Sequence, residues 1–301
     1  MKLDDVDADL SGFEDRRGQR GGGGGGLGGI SLGRGGKVGL PAVVLLVVGV
    51  LFKVVAGGGG SGGFDITGAL NQLGGAGTPA GSGAAPASPA SSKDAQVKFV
   101  GQVRTLLNDY WSGSFTQSDK AFHKPGMVVF DAPTSTGCGV GQPEAGPFYC
   151  PADEKIYLDL GFYDKLQSQL GFSGDFAEAY VLAHEYGHHI QSLLGINKEV
   201  QDRTQGASEA EANRLSVKLE LQADCFAGAW AKSAYADQKL SAGDLDEALG
   251  AASAVGDDAI QKQTQGRVDQ ESFTHGSSAD RQKWFRTGYD TGQPDRCDTF
   301  G

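Results

Sequence analysis

The sequence predicts an α+β domain, mostly helical with a small sheet, preceded by one transmembrane helix. Three observations carry that expectation. Two long stretches, 176–194 and 208–235, repeat apolar residues at helical spacing with no proline inside them. Strand-like segments are short and few, with Met127–Phe130 and Lys155–Leu160 the clearest. Residues 38–56, VGLPAVVLLVVGVLFKVVA, form an apolar run broken only by Lys53.

Residues 1–37 are polar and glycine-rich, with GGGGGG at 21–26. They hold too little apolar surface to offset chain entropy, so a disordered tail is expected. The run 38–56 would span about 28 Å as a helix, close to the hydrocarbon thickness of a bilayer. Lys53 lies near its end, where its stem lets the ammonium reach the interface. A cleaved signal peptide would begin nearer the N-terminus, so an uncleaved anchor is expected. Arg16, Arg17, Arg20, Arg34 and Lys37 precede the run, and after Lys53 no basic residue occurs until Lys93. That asymmetry places the tail in the cytoplasm and the C-terminal domain outside, in a single-pass cell-membrane protein. Residues 57–93 are Gly, Ala, Ser and Pro with little charge, a flexible linker of roughly 35 Å.

The folded domain is expected over 94–301. Val97, Val100, Val103, Leu106, Leu107 and Tyr110 predict a helix over 94–111. Met127–Phe130 predicts a strand. KIYLDL, 155–160, predicts another, and as a sheet edge it would accept an added peptide strand. Residues 162–170 look helical. Phe176–Leu194 is a helix stopped by Gly195, and a long helix follows over 208–235. Two more helices are expected near 243–262 and 278–289.

The formal net charge is −11, and residues 1–56 hold seven basic and six acidic side chains, so the acidic excess lies in the rest. Such a domain is a poor partner for nucleic acid. Cys138, Cys150, Cys225 and Cys297 include no CxxC pair, which argues against a zinc ribbon or a thioredoxin-like site. An even number of spaced cysteines suits two disulfides in an oxidising compartment. Of three connectivities, Cys138–Cys150 would close a Gly/Pro-rich loop and Cys225–Cys297 would tie the C-terminal tail to a helix, and this pairing is preferred. Four buried thiols are the alternative.

Residues 184–188 read HEYGH. His184 and His188, one helical turn apart, can address one ion. Glu185, one position round, then suits a general base acting on a water held by the metal. The alternative is a solvated His/Glu helix face, against which the apolar neighbours Tyr180, Val181, Leu182, Ile190 and Leu193 argue. A third ligand is needed. Glu220 and Asp224, also one turn apart on the next long helix, are the best source. Glu220 would bind the ion, and Asp224 would accept a hydrogen bond from the far nitrogen of a ligand histidine. Exposed helix carboxylates are the alternative, and Glu209 and Glu211 are weaker candidates. His275 and Arg281 could steady negative charge on a carbonyl oxygen, or Ser277 or Ser278 is simply a helix cap and Arg281 a surface charge. His189 points about 100° from His188 and is expected to pack or hydrogen-bond. His123 has no motif around it.

HEYGHHIQ, then ELQADCFAGAWA, then SFTHGSSADRQKWFRTGY resembles the neutral zinc metallopeptidase family of bacteria, over roughly 94–301. CGVGQPEAGPFYCP and IYLDLGFY are of the same type, and the N-terminal anchor is similar. More distantly, HExxH, a downstream ExxxD and a His six residues before an Arg resemble membrane metallopeptidases related to CAAX-processing proteases. That resemblance implies a zincin-like, gluzincin-like domain. It implies one catalytic Zn2+ held by His184, His188 and Glu220, with Asp224 behind the ligands and Glu185, His275 and Arg281 in catalysis. Gly276 stands where the distant relatives have Pro. The function implied is endopeptidase hydrolysis of protein or peptide substrates outside the membrane. An inactive zinc-containing binding module of the envelope is the alternative.

Overall fold

The computed structural model describes residues 1–18, 89–143, 146–163 and 174–301. The strands are β1 (Phe13–Asp15), β2 (Gly126–Phe130), β3 (Thr134–Thr136), β4 (Gly139–Gly141), β5 (Phe148–Cys150) and β6 (Lys155–Asp159). The helices are α1 (Pro89–Gln117), α2 (Asp175–Leu193), α3 (Ile196–Thr204), α4 (Glu209–Ala236), α5 (Asp244–Ala254), α6 (Asp257–Gln265) and α7 (Ser278–Thr291). The class is the expected one, α+β and mostly helical with a small sheet.

Helices α2 and α4 form the centre. Both are buried on most sides, so a single apolar stripe does not describe them. Trp111 of α1 meets Phe226 of α4 edge to face, ring centroids 5.4 Å apart. Where α4 crosses α7, glycines allow the backbones to touch. A Cβ on Gly228 would lie 1.9 Å from the Phe285 carbonyl oxygen, and one on Gly288 1.9 Å from that of Cys225. Ser208 and Ser277 cap α4 and α7, each side chain accepting a backbone N–H three residues on. Both expected disulfides are present, Cys138–Cys150 and Cys225–Cys297.

The four-stranded sheet has the order β1-β2-β6-β5. β1 and β6 run parallel to β2, and β5 runs antiparallel to β6. The KIYLD strand is therefore interior, not the edge anticipated; its alternation could not reveal which strands would flank it. Among the described residues the edges are β1 and β5.

Residues 1–18, expected to be part of a disordered cytoplasmic tail, are built into the fold. Leu3 and Val6 are buried. Gln102 donates to the carbonyls of Leu3 and Val6, and the buried Arg104 guanidinium donates to those of Asp9, Ser11 and Pro125. β1 pairs Phe13, Glu14 and Asp15 with Met127, Val128 and Val129. Backbone pairing with β2 supplies what composition lacked. Arg17 Nη2 lies 3.4 Å from Asp94 Oδ1, so the chain leaves and re-enters the described fold at neighbouring points. The run 38–56 lies outside the described residues, and among those no helix is long and apolar enough to cross a membrane.

Smaller departures have local causes. α1 begins at Pro89, inside the anticipated linker. Gly195, at φ 78°, stops α2 as expected, but α3 starts directly after it. The helix anticipated over 243–262 is broken at Val255–Gly256 into α5 and α6. Gly256 is extended, at φ −70° and ψ 141°, where the chain passes so close to Ser278 that a Cβ would lie 2.4 Å from its backbone nitrogen. Most of the helix anticipated over 162–170 lies outside the described residues.

Candidate metal centre

The HEYGH turn sits mid-way along α2, facing α4. Gly187 explains how the two helices come so close: a Cβ there would lie 2.8 Å from the Cα of Ala223. At that separation the side chains of Glu220 and Asp224, either side of Ala223, reach across to the histidines. His184 Nε2 lies 3.1 Å from Glu220 Oε2, and His188 Nε2 lies 3.5 Å from Glu220 Oε1. The two imidazole rings stand perpendicular, centroids 4.8 Å apart. One ligand atom from each of His184, His188 and Glu220 falls within 4.8 Å of the others.

Electrostatics agree with that geometry. Burial opposes charge on His184, yet Asp224 and Glu220 overcome it and raise its pKa to about 10. Burial opposes charge on His188 too, and Glu220 raises it above the ordinary value. Glu220 is itself buried, but His188 and His184 hold it well below the usual carboxylate range. The cluster thus concentrates a demand for positive charge at the point where two imidazole nitrogens and a carboxylate oxygen meet, a donor set suited to zinc. Glu185 is different. Burial pushes its pKa up, against the pull of His188 and His184, the direction a general base requires. Its carboxylate also receives the Tyr149 backbone N–H of β5.

Asp224 is fully buried. It accepts from Tyr180 Oη at 2.6 Å, from His184 Nδ1 at 2.8 Å, and from Arg281 Nε and Nη2 at 2.8 and 2.9 Å. Burial resists its ionisation, but Arg281 and His184 bring the pKa down to about 2. An ionised Asp224 accepts, so the proton of His184 stays on Nδ1 and Nε2 faces Glu220. Arg281 is therefore placed behind His184, bound to Asp224 and to the Val255 carbonyl, rather than set out as a donor for substrate. Tyr180, read from the sequence only as an apolar neighbour, belongs to the same network; its place one turn before His184 was the available signal.

His275 precedes α7 and is buried. Its Nδ1 lies 3.1 Å from Asp257 Oδ1. The other oxygen of Asp257 receives the backbone N–H groups of Thr274, His275 and Gly276, at 2.8, 2.6 and 2.9 Å. Asp257, which no sequence motif marked, thus fixes both the loop and the ring. Glu220 is among the charges that raise the pKa of His275, after Asp257. Gly276 has φ 94°, which proline, locked near −65°, does not reach. The structure therefore accounts for the residue by which this loop departs from its distant relatives.

The profile of the family described as "Putative neutral zinc metallopeptidase" matches residues 7–300. The chain belongs to this family. Similar proteins include Uncharacterized protein YpfJ of Escherichia coli K12, 45% identical over 290 residues, covering 96% of this chain and 95% of that one. Uncharacterized protein Rv2575 of Mycobacterium tuberculosis H37Rv is 49% identical over 190 residues, 60% of this chain and 63% of that one. No solved structure matches. The match to the zinc metallopeptidase family includes the N-terminal segment from residue 7, in keeping with the packing of residues 1–18. The family's description points to a zinc hydrolase.

His189 takes no part in the cluster. Its Nε2 donates to the His123 carbonyl at 2.7 Å and its Nδ1 accepts from Tyr149 Oη at 3.2 Å. His123 itself pairs with Glu154 in an exposed position. Burial pulls the pKa of His189 down from 6.5 to about 4. The unfolded chain then binds more protons between those values, so the contribution of His189 is full above pH 6.5 and is lost as pH falls towards 4. The loss amounts to roughly 3 kcal/mol. Urea unfolding of the wild type and His189→Gln, compared across this window, should show the wild type falling more steeply. Parallel profiles would reject this account.

Proposed function

We propose that this chain is a zinc-dependent endopeptidase. The observation that carries the proposal is the convergence of His184, His188 and Glu220 on one point, with the buried Glu185 carboxylate beside it. His184, His188 and Glu220 would hold the zinc ion, which would supply Lewis acidity to the reaction. Glu185 takes the proton of the attacking water onto a carboxylate oxygen. It then delivers that proton to the leaving nitrogen, so the base of the first step is the acid of the second. Asp224, held ionised by Arg281, keeps His184 oriented through both steps. His275, anchored by Asp257, would donate towards charge developing on the carbonyl oxygen.

Strand β5 supports the substrate class. It is a sheet edge, and its Tyr149 N–H addresses Glu185. An extended peptide added along this edge would bring a backbone amide to the base. The apolar run 38–56 supports attachment to the cell membrane, with residues 1–18 on the same side as the domain. Retention of the full chain in salt-washed membranes tests attachment, and recovery in the soluble fraction would reject it.

The mechanism predicts that Glu185→Gln retains bound zinc while peptide cleavage falls by about 10²- to 10⁴-fold. Unchanged cleavage by that variant would remove Glu185 from the mechanism. Zinc retained by both proteins with cleavage by neither would favour the zinc-containing binding module.

A further inference from the structure

The two histidines of the cluster are oriented by different means. His184 Nδ1 faces a carboxylate, Asp224. His188 Nδ1 faces a neutral amide, with Gln191 Oε1 at 2.9 Å. Gln191 lies on the same helix, three residues on, and is fully buried. Its Nε2 donates to the Leu219 carbonyl at 2.7 Å and to Gln222 Oε1 at 3.1 Å. A carbonyl only accepts, so the NH2 of Gln191 must face Leu219 and its oxygen must face His188. That oxygen in turn requires the proton of His188 to sit on Nδ1, which leaves Nε2 as the ligand atom towards Glu220. Gln222 is ordered in the same way from its far end. Its Nε2 donates to the Cys297 carbonyl at 2.9 Å, and Cys297 is held to α4 by its disulfide with Cys225.

We propose that Gln191 is the positioning residue of the metal ligand His188, and that Gln222 locks Gln191 from the disulfide-anchored C-terminal tail. This rests on the reading of His184, His188 and Glu220 as a zinc site. The chain of acceptors and donors, from the Cys297 carbonyl through Gln222 and Gln191 to His188, has one consistent direction. Each amide can serve only in the orientation its neighbour imposes. A neutral amide sets the tautomer without adding a second buried charge beside Glu220 and Glu185, which the carboxylate behind His184 can do only because Arg281 offsets it.

The test is zinc affinity of the full chain, read by competition with a chelating dye, together with the visible spectrum of the cobalt-substituted protein. Gln191→Met removes the acceptor at near-constant volume and should weaken zinc binding about 10- to 100-fold and alter the cobalt spectrum. Gln222→Met should have the same effect to a lesser degree. Gln102→Met is the structural control. That buried glutamine holds the Leu3 and Val6 carbonyls on another part of the fold, so its loss should lower thermal stability without changing zinc affinity. Wild-type affinity in folded Gln191→Met would overturn the proposal, as would equal weakening by Gln102→Met. Wild-type affinity in Gln222→Met would overturn the link to the tail. Absence of zinc binding by the wild-type protein would instead reject the metal reading itself, and the inference with it.

Discussion

A chain lacking residues 1–18 should fail to accumulate as folded protein. The segment buries Leu3 and Val6, worth about 1.5–3 kcal/mol each. Its removal also takes the Asp9 and Ser11 carbonyls and the Asp9 carboxylate from the Arg104 guanidinium. Hydrogen bonds to a charged group contribute about 1.5–3 kcal/mol each. The sum approaches the whole stability of an ordinary domain. Soluble expression, thermal unfolding and circular dichroism of chains beginning at residue 1 and at residue 19 provide the comparison. Equal unfolding midpoints would show that the N-terminal strand is dispensable.

Arg281→Met should destabilise the fold by about 3–5 kcal/mol and weaken the metal site together. The substitution leaves Asp224 buried with Tyr180 and His184 but without the cation that chiefly holds its pKa near 2. Sign and window follow from that shift. A carboxyl group whose folded pKa lies below its unfolded value of 3.8 stabilises the fold above pH 4, and loses that contribution as pH falls towards 2. The wild type should therefore lose stability over this range more steeply than Arg281→Met. Arg281→Lys keeps the charge but not the two-pronged contact, and should fall between them. Full stability and full zinc affinity in Arg281→Met would show that Asp224 does not depend on this partner.

The centre of the site was legible in the sequence because helices impose their own arithmetic. His184 with His188, and Glu220 with Asp224, each lie one turn apart, so any packing of α2 on α4 that joins one pair to the other brings all four together. Gly187, the fourth residue of HEYGH, is the feature that permits that packing, although its reason appears only when Ala223 is seen against it. What stayed hidden was non-local. Asp257 acts on His275 through a loop eighteen residues away, and nothing in its own neighbourhood announces this. Gln191 and Gln222 look like ordinary helix polar residues until their partners are known. Arg281 was singled out, but its contact with Asp224 was not legible, because spacing to His275 does not reveal what else lies beside it. The polar residues 1–18 read as a tail because composition records side chains, whereas β1 is held by backbone hydrogen bonds and the segment before it by the buried Arg104.

The most direct test of the account is bound zinc in the purified full chain and in Glu220→Ala, measured by elemental analysis after dialysis. The account predicts about one equivalent per wild-type chain, as for a mononuclear catalytic site, and almost none in the variant. A folded wild-type protein without metal, or a variant carrying the same equivalent as the wild type, would contradict it.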